Sequence, residues 1–186
     1  MKHGTLRLVA LSLLLMMAAT RPGLAMEAPA ETDSAHIVAV SGERQHLSLD
    51  SVLRLAEDPA QRIDAERVLD NPDILPWKPA DASALHIGPS RSRWWLRVDL
   101  HNIDDLPRER VVVIHHPTLD DARFALLCAS GYSDAALSGD ALPFSARPLP
   151  DRQPAFAFVL PAHDRCTLVM AIMSADTVHF PLSLFD

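Results

Sequence analysis

The chain has 186 residues, with 17 Lys and Arg against 24 Asp and Glu and a formal net charge of −7. That length suits one domain, and the acidic balance excludes the basic footprint that a nucleic-acid partner needs. It equally disfavours simple electrostatic adhesion to anionic lipid.

Residues 1–25 read as a secretory signal peptide. Lys2 and Arg7 make a positive start, an apolar run follows from Leu8 to Ala19, and Gly23-Leu24-Ala25 is a small-x-small cleavage site. The run falls short of the ~20 apolar residues that a membrane-spanning helix requires. Without Lys2, Arg7 and Arg21 the remainder is more acidic still. Residues 26–35, rich in Ala, Pro, Glu and Thr, are expected to form a disordered lead-in. The folded domain is expected over 36–186.

Its first strand is predicted at His36 to Val40, followed by a turn at Gly42-Glu43. Leu47, Leu49, Leu53 and Leu55 alternate with polar or small neighbours and predict a second strand. One helix is predicted at Arg62 to Asp70. Asp64 is placed to cap it, Ile63 and Val68 have the spacing of a hydrophobic staple, and Asn71-Pro72 ends it. Pro72 to Ala80 reads as an irregular connection from which Trp77 plugs the core.

Ser92 to Asn102 is the most informative stretch. Trp94, Leu96, Val98 and Leu100 fall on one face, and Arg93, Trp95, Arg97, Asp99 and His101 on the other. The first face is expected to enter the core. The second sets a large ring between two guanidinium groups, and two readings stand. Either Trp95 and Arg97 line a pocket for a small polar ligand, or Trp95 packs beneath a loop and the arginines are solvated.

Further strands are predicted at Arg110 to His116, Arg123 to Cys128, around Phe156, Phe158 and Leu160, at Thr167 to Met173 and at Val178 to Phe185. Ala129 to Asp140 reads as a loop. The prolines 143, 148, 150 and 154 keep Leu142 to Pro154 out of central sheet pairing. Many short strands with turn signals every 8–12 residues predict an all-β sandwich or barrel. Phe124, Leu126, Phe156, Phe158, Leu168 and Met170 are the expected core neighbours of Leu96.

The two cysteines, Cys128 and Cys166, have neither metal-type nor redox-type spacing. In an exported chain their even number permits a disulfide. No Gly-x-Ser-x-Gly elbow, phosphate-binding glycine loop or His-Glu-x-x-His occurs, so no catalytic role is expected. His115 and His116 are adjacent, and on a strand they point to opposite faces, so they do not share an ion. No metal or other cofactor is expected.

The order of several motifs resembles the extracellular domain, type 2, of bacterial seven-transmembrane receptors with diverse intracellular signalling modules. The matching pieces are Glu57-Asp58, Ser92-x-x-Trp95-Leu96-Arg97, Pro117-x-Leu119-Asp120, the run from Gly139-Asp140 through Leu142-Pro143-Phe144-Ser145 to Arg147-Pro148, Phe156-x-Phe158 and Phe180-Pro181-Leu182-Ser183-Leu184. The resemblance implies a jelly-roll β-sandwich similar to carbohydrate-binding modules, placed in the periplasm to sense a ligand. It also implies attachment to the inner membrane if the chain is a fragment of a longer receptor. It marks the motifs of Trp95 and Arg97 and those of Asp140 and Arg147, so these four are the expected ligand-binding residues. Trp95 would stack on the ligand, Arg97 and Arg147 would bind its oxygens, and Asp140 would accept from hydroxyls or hold Arg147. A sugar, acidic sugar, amino acid or dicarboxylate suits that set. The alternatives are a protein-interaction or dimerisation module, acting as a homodimer or on a membrane receptor partner, and a stand-alone periplasmic binding module.

Overall fold

A computed structural model describes residues 37–43, 45–80, 86–179 and 181–186. The expected signal peptide and lead-in lie outside the described residues.

The larger sheet is built on β6 (Arg93–Asn102) and β11 (Arg165–Met173), which pair antiparallel. β8 (Asp121–Cys128) continues from β11, and β9 (Ser133–Ser138) from β8. On the other side of β6 lie β3 (Arg54–Asp58), paired with Arg93 to Arg97, and β1 (Ile37–Val40), paired in parallel with Asp99 to Asn102. The two-residue β4 (Lys78–Pro79) borders β3. The smaller sheet runs in the order β10 (Ala155–Leu160), β7 (Arg108–Ile114), β13 (Leu182–Phe185) and β2 (His46–Ser48). A separate ribbon pairs β5 (His86–Pro89) with β12 (Thr177–His179).

The eight principal strands are, in chain order, β2, β6, β7, β8, β9, β10, β11 and β13. Counted first to eighth, they form one sheet in the order 1-8-3-6 and the other in the order 2-7-4-5. Two nested Greek keys wound in this way make a jelly roll. The fold is therefore the all-β jelly-roll sandwich with one short helix that the sequence and the resemblance predicted.

Alternation fills the space between the sheets. Leu96, Val98 and Leu100 face inward with Phe124, Leu126, Phe156, Phe158, Leu168 and Met170, all in one buried cluster, and Trp94 packs half-buried against it. Phe124 stacks on Phe156 at 5.3 Å between centroids, joining the two sheets. Cys128 and Cys166 stand directly opposite on β8 and β11 and are joined by a disulfide.

Four predicted elements are corrected, one of them the strand expected at Val178 to Phe185, which is divided between β12 in the ribbon and β13 in the smaller sheet. The strand expected from Leu47 to Leu55 is two strands in different sheets. Between them the chain turns: the Val52 N–H donates to the Leu49 carbonyl, and the Asp50 carboxylate accepts from the Leu182 N–H. Leu49 and Leu53 are fully buried at this crossing, and their alternation made one strand of two. Ala129 to Asp140, read as a loop, contains β9, whose alanines carry little β signal and whose order comes from pairing with β8. The helix is shorter than predicted: α1 spans Ala65–Asp70. Asp64 caps it as expected, accepting from the Arg67 N–H at 2.9 Å.

Gly139 shows why the turn after β9 needs glycine. Its φ is +131°, and a Cβ there would collide with the Asp120 carbonyl oxygen. The same turn is tied by the Asp140 N–H, which donates to the Leu119 carbonyl at 2.8 Å.

Leu96 is wholly buried. Leu96→Ala is expected to destabilise the domain by about 2–5 kcal/mol in denaturant unfolding. Reduction of the Cys128–Cys166 bridge, which spans 38 residues of sequence, is expected to lower the melting temperature, with a loss of about 2–4 kcal/mol. An unchanged melting curve in reductant would show that the bridge does not stabilise the fold.

Candidate functional site

The outer face of the larger sheet is where the second set of β6 side chains emerges. Small residues from three strands, Ala56, Ala171 and Ala125, surround the one large ring of Trp95. They leave a depression that α1 fills with Val68, flanked by Leu75 and the half-buried Ile63, Leu69 and Trp77. Trp95 is 1% exposed. Burial of a Trp removes roughly 150–250 Å² from water, which at about 25 cal/mol per Å² is an upper estimate of about 4–6 kcal/mol.

That packing leaves a polar remainder. The Trp95 indole Nε1, a donor only, is buried with no hydrogen-bond partner, and so is the Arg93 Nε. An unmet buried donor costs about 1–3 kcal/mol. The ring's burial outweighs that, so the fold tolerates the orphaned N–H.

The loop above these donors is held in place. Arg93 donates through one terminal nitrogen to the carbonyls of Ile63 at 3.0 Å and Gln61 at 3.4 Å. Asp58, itself buried, accepts from the Ile63 N–H at 3.1 Å. Gln61 donates from its amide to the Arg91 carbonyl at 2.8 Å. Its φ of 54° is left-handed for a residue with a side chain, at a cost of about 1–2 kcal/mol.

Beside the loop lies a cavity of about 440 Å³ bordered by Ile63, Asp64, Arg93, Trp95, Arg123 and Leu137. A second cavity of about 530 Å³, bordered by Glu66, Asp70 and Asp134, shares Ala65, Ala125 and Ala135 with the first. The two form one groove between α1 and β9. Its two ends differ in charge. Arg93 and Arg123 stand at one end together with Asp64, and Glu66, Asp70 and Asp134 at the other. Asp121 hydrogen-bonds Arg123 and thereby raises its pKa above the ordinary value, so this exposed guanidinium stays charged and locally paired.

Of the four expected site residues, Trp95 and Arg97 lie two apart on the outer face of β6, and Asp140 and Arg147 lie on the segment between β9 and β10. The ring of Trp95 lies under α1 rather than facing solvent, which corrects the stacking role: the small residues around it make the outer face a second core. Trp95 borders the groove even so. Arg97 is paired along its own strand with Asp99 at 3.0 Å, and Asp99 also accepts from the Thr167 hydroxyl at 2.7 Å. Arg147 donates to the carbonyls of Asp151 and Arg152 and lies over the Phe144 ring. Asp140 is exposed on the turn after β9. Sequence reading left Arg123 out because it lies two strands away from Trp95. Arg93 was visible on the same strand face, where an arginine with an unmet Nε looks like any other.

A third cavity, of about 500 Å³, lies on the far side of β3, bordered by Glu57, Lys78, His86, Ile87 and Trp94. At its margin the rings of His86 and His179 stack at 3.8 Å across the β5–β12 ribbon. The His116 Nε2 lies 2.9 Å from the Thr177 carbonyl.

The 7TMR-DISM extracellular 2 family pattern matches residues 50–186. The chain belongs to that family. It is thereby a sensor-type domain of membrane receptors, placed outside the cytoplasm. No curated protein matches the sequence. Among solved structures, the CBM35 from Cellvibrio japonicus Abf62 aligns at 8% identity with a TM-score of 0.27, covering 53% of this chain and 67% of that one, a likeness too loose to bear on the site. No helix among the described residues is long and apolar enough to cross a membrane.

The histidine ribbon yields a pH expectation. Burial, then the neighbouring His86 and His116, push the His179 pKa below its ordinary 6.5, with Asp50 opposing. The unfolded chain therefore binds more protons as pH falls through 6.5, so the stability present above that value is lost down to the lowered pKa. The melting temperature is expected to fall between about pH 7.5 and about pH 5.5, and less steeply in His179→Gln. An equally steep fall in that variant would remove His179 as the cause.

Proposed function

We propose that the chain is the periplasmic ligand-sensing domain of a bacterial signal-transduction receptor, and that it binds a small molecule in the groove between α1 and β9. The family supports a receptor setting outside the cytoplasm. The observation that carries the groove is its lining, apolar along Ala65, Ala125 and Ala135 with the guanidinium groups of Arg93 and Arg123 at one end. Such donors suit a ligand that arrives with its own acceptors. The receptor family supports a binding role.

A second reading is a protein-interaction or dimerisation module. The β6–β7 turn exposes Ile103 and Leu106, and the neighbouring start of β7 holds Arg110, which pairs with Asp186 at the end of β13. A partner seated there would meet the domain where β13 ends.

A thermal-shift screen against sugars, uronic acids, amino acids and dicarboxylates tests the sensing reading. A ligand at about 100 times its dissociation constant adds about 2.7 kcal/mol of stability. Ala135→Leu, at an exposed position in the middle of the groove, is expected to abolish that shift. A hit whose affinity Ala135→Leu leaves unchanged would place the ligand elsewhere, and a response to a partner protein alone would favour the second reading.

A further inference from the structure

The cavity on the far side of β3 shares no bordering residue with the groove between α1 and β9. It belongs to the other face of the larger sheet. Leu55 points to the core side of β3, and alternation puts Glu57 on that side too. Trp94, the cross-strand partner of Glu57, also packs against the core. Lys78 on β4 is paired with Leu55 and shares its side. Ile87 on β5 borders the same cavity from the ribbon.

Most of the lining is apolar: Leu55, Pro59, Pro76, Pro79, Ile87 and the half-buried Trp94. The Trp94 N–H donates to the Ser90 hydroxyl at 3.1 Å. Two opposite charges border this apolar surface and do not meet. The Ser92 hydroxyl donates to Glu57 Oε1 at 2.6 Å and orients the carboxylate, while Oε2 takes no bond from the described residues. The Lys78 ammonium has neither a hydrogen-bond nor an ion-pair partner among the described residues, Glu57 included. Unpaired surface charges are common. These two differ in sharing one apolar cavity of about 500 Å³, a volume ordinary for a small-molecule site.

A ligand matched to this lining carries an anionic and a cationic group on an apolar body. A ligand with a single charge leaves either Glu57 or Lys78 unmatched. A sugar would find few partners for its hydroxyls beyond these two groups and His86, whose ring is stacked on His179.

We propose that this cavity binds a zwitterionic amino acid with an apolar side chain. Its ammonium meets Glu57, its carboxylate meets Lys78, and its side chain lies among Trp94, Ile87 and the prolines. Both polar contacts are charge-assisted, and such bonds are roughly twice as strong as neutral ones. The site is independent of the groove and does not require it to hold a ligand.

The test is calorimetric titration of the purified protein with leucine, its desamino acid isocaproate, its decarboxylated amine isoamylamine, glycine and glucose. Leucine is expected to bind. Isocaproate and isoamylamine are each expected to bind about tenfold or more weakly, having lost one charge-assisted contact, and glycine to fail for want of a side chain. Lys78→Gln removes an exposed, unpaired charge and is expected to leave the melting temperature unchanged. It should weaken leucine by about tenfold and erase the advantage of leucine over isoamylamine. Glu57→Gln keeps an acceptor for Ser92 and should erase the advantage over isocaproate. Ala135→Leu, in the groove, is expected to leave leucine affinity as it is. Leucine failing to bind, or binding no more tightly than isocaproate or isoamylamine, would overturn the proposal. So would glucose binding in its place, or leucine affinity unchanged in both Lys78→Gln and Glu57→Gln. A leucine signal lost in Ala135→Leu and kept in Lys78→Gln would overturn this site and move the amino acid to the groove.

Discussion

The structure depends on β6 being buried on both faces around Trp95. A strand of a two-sheet sandwich normally shows one face to water, and its outer residues are then free to be polar. Here Leu96, Val98 and Leu100 are locked into the sandwich while Trp95 is locked under α1 on the other side. The sheet becomes the middle of three layers. Once the outer face is a core, the loop before α1 has to be anchored, and Arg93, Asp58 and Gln61 provide the anchors.

The cover is small, and its size shapes what remains. The helix has six residues and only Val68 among them is fully buried. It closes over Trp95, Ala56 and Ala171 but does not reach across to β9. The uncovered strip between helix and edge strand is the groove. A longer helix would have filled it, and larger residues than alanine on β8 and β9 would have filled it from below. The Nε1 of Trp95 and the Nε of Arg93 stay unmet beneath the same cover, whose Gln61 and Ile63 carbonyls accept from a terminal nitrogen of Arg93.

Much of this was legible in the sequence. The period of two in Ser92 to Asn102 identified the inward face correctly, and the same periodicity in Phe124, Leu126, Phe156, Phe158, Leu168 and Met170 identified its partners. Such patterns are read without knowing the fold, because a strand alternates faces wherever it lies. Asp64 as the helix cap was legible for a like reason: a cap bonds within one turn of its own position.

What the sequence by itself determined was local: strand faces, the helix cap at Asp64 and the proline-rich break from Leu142 to Pro154. The strand order was expected only through the family resemblance, and which sheet each strand joins was decided by tertiary structure. Leu49 and Leu53 alternate as one strand would, yet they straddle a crossing between sheets, because burial on either side of a turn leaves the same apolar imprint. The partner of Cys128 followed from there being two cysteines, but their apposition comes from the β8–β11 register. The fate of Trp95 was decided farther still from its own neighbourhood. Whether a tryptophan on an outer strand face meets a ligand or a helix depends on Ala56, Ala125 and Ala171 making room and on Val68 arriving to fill it. Those residues lie on other elements, and only the folded chain brings them to one place.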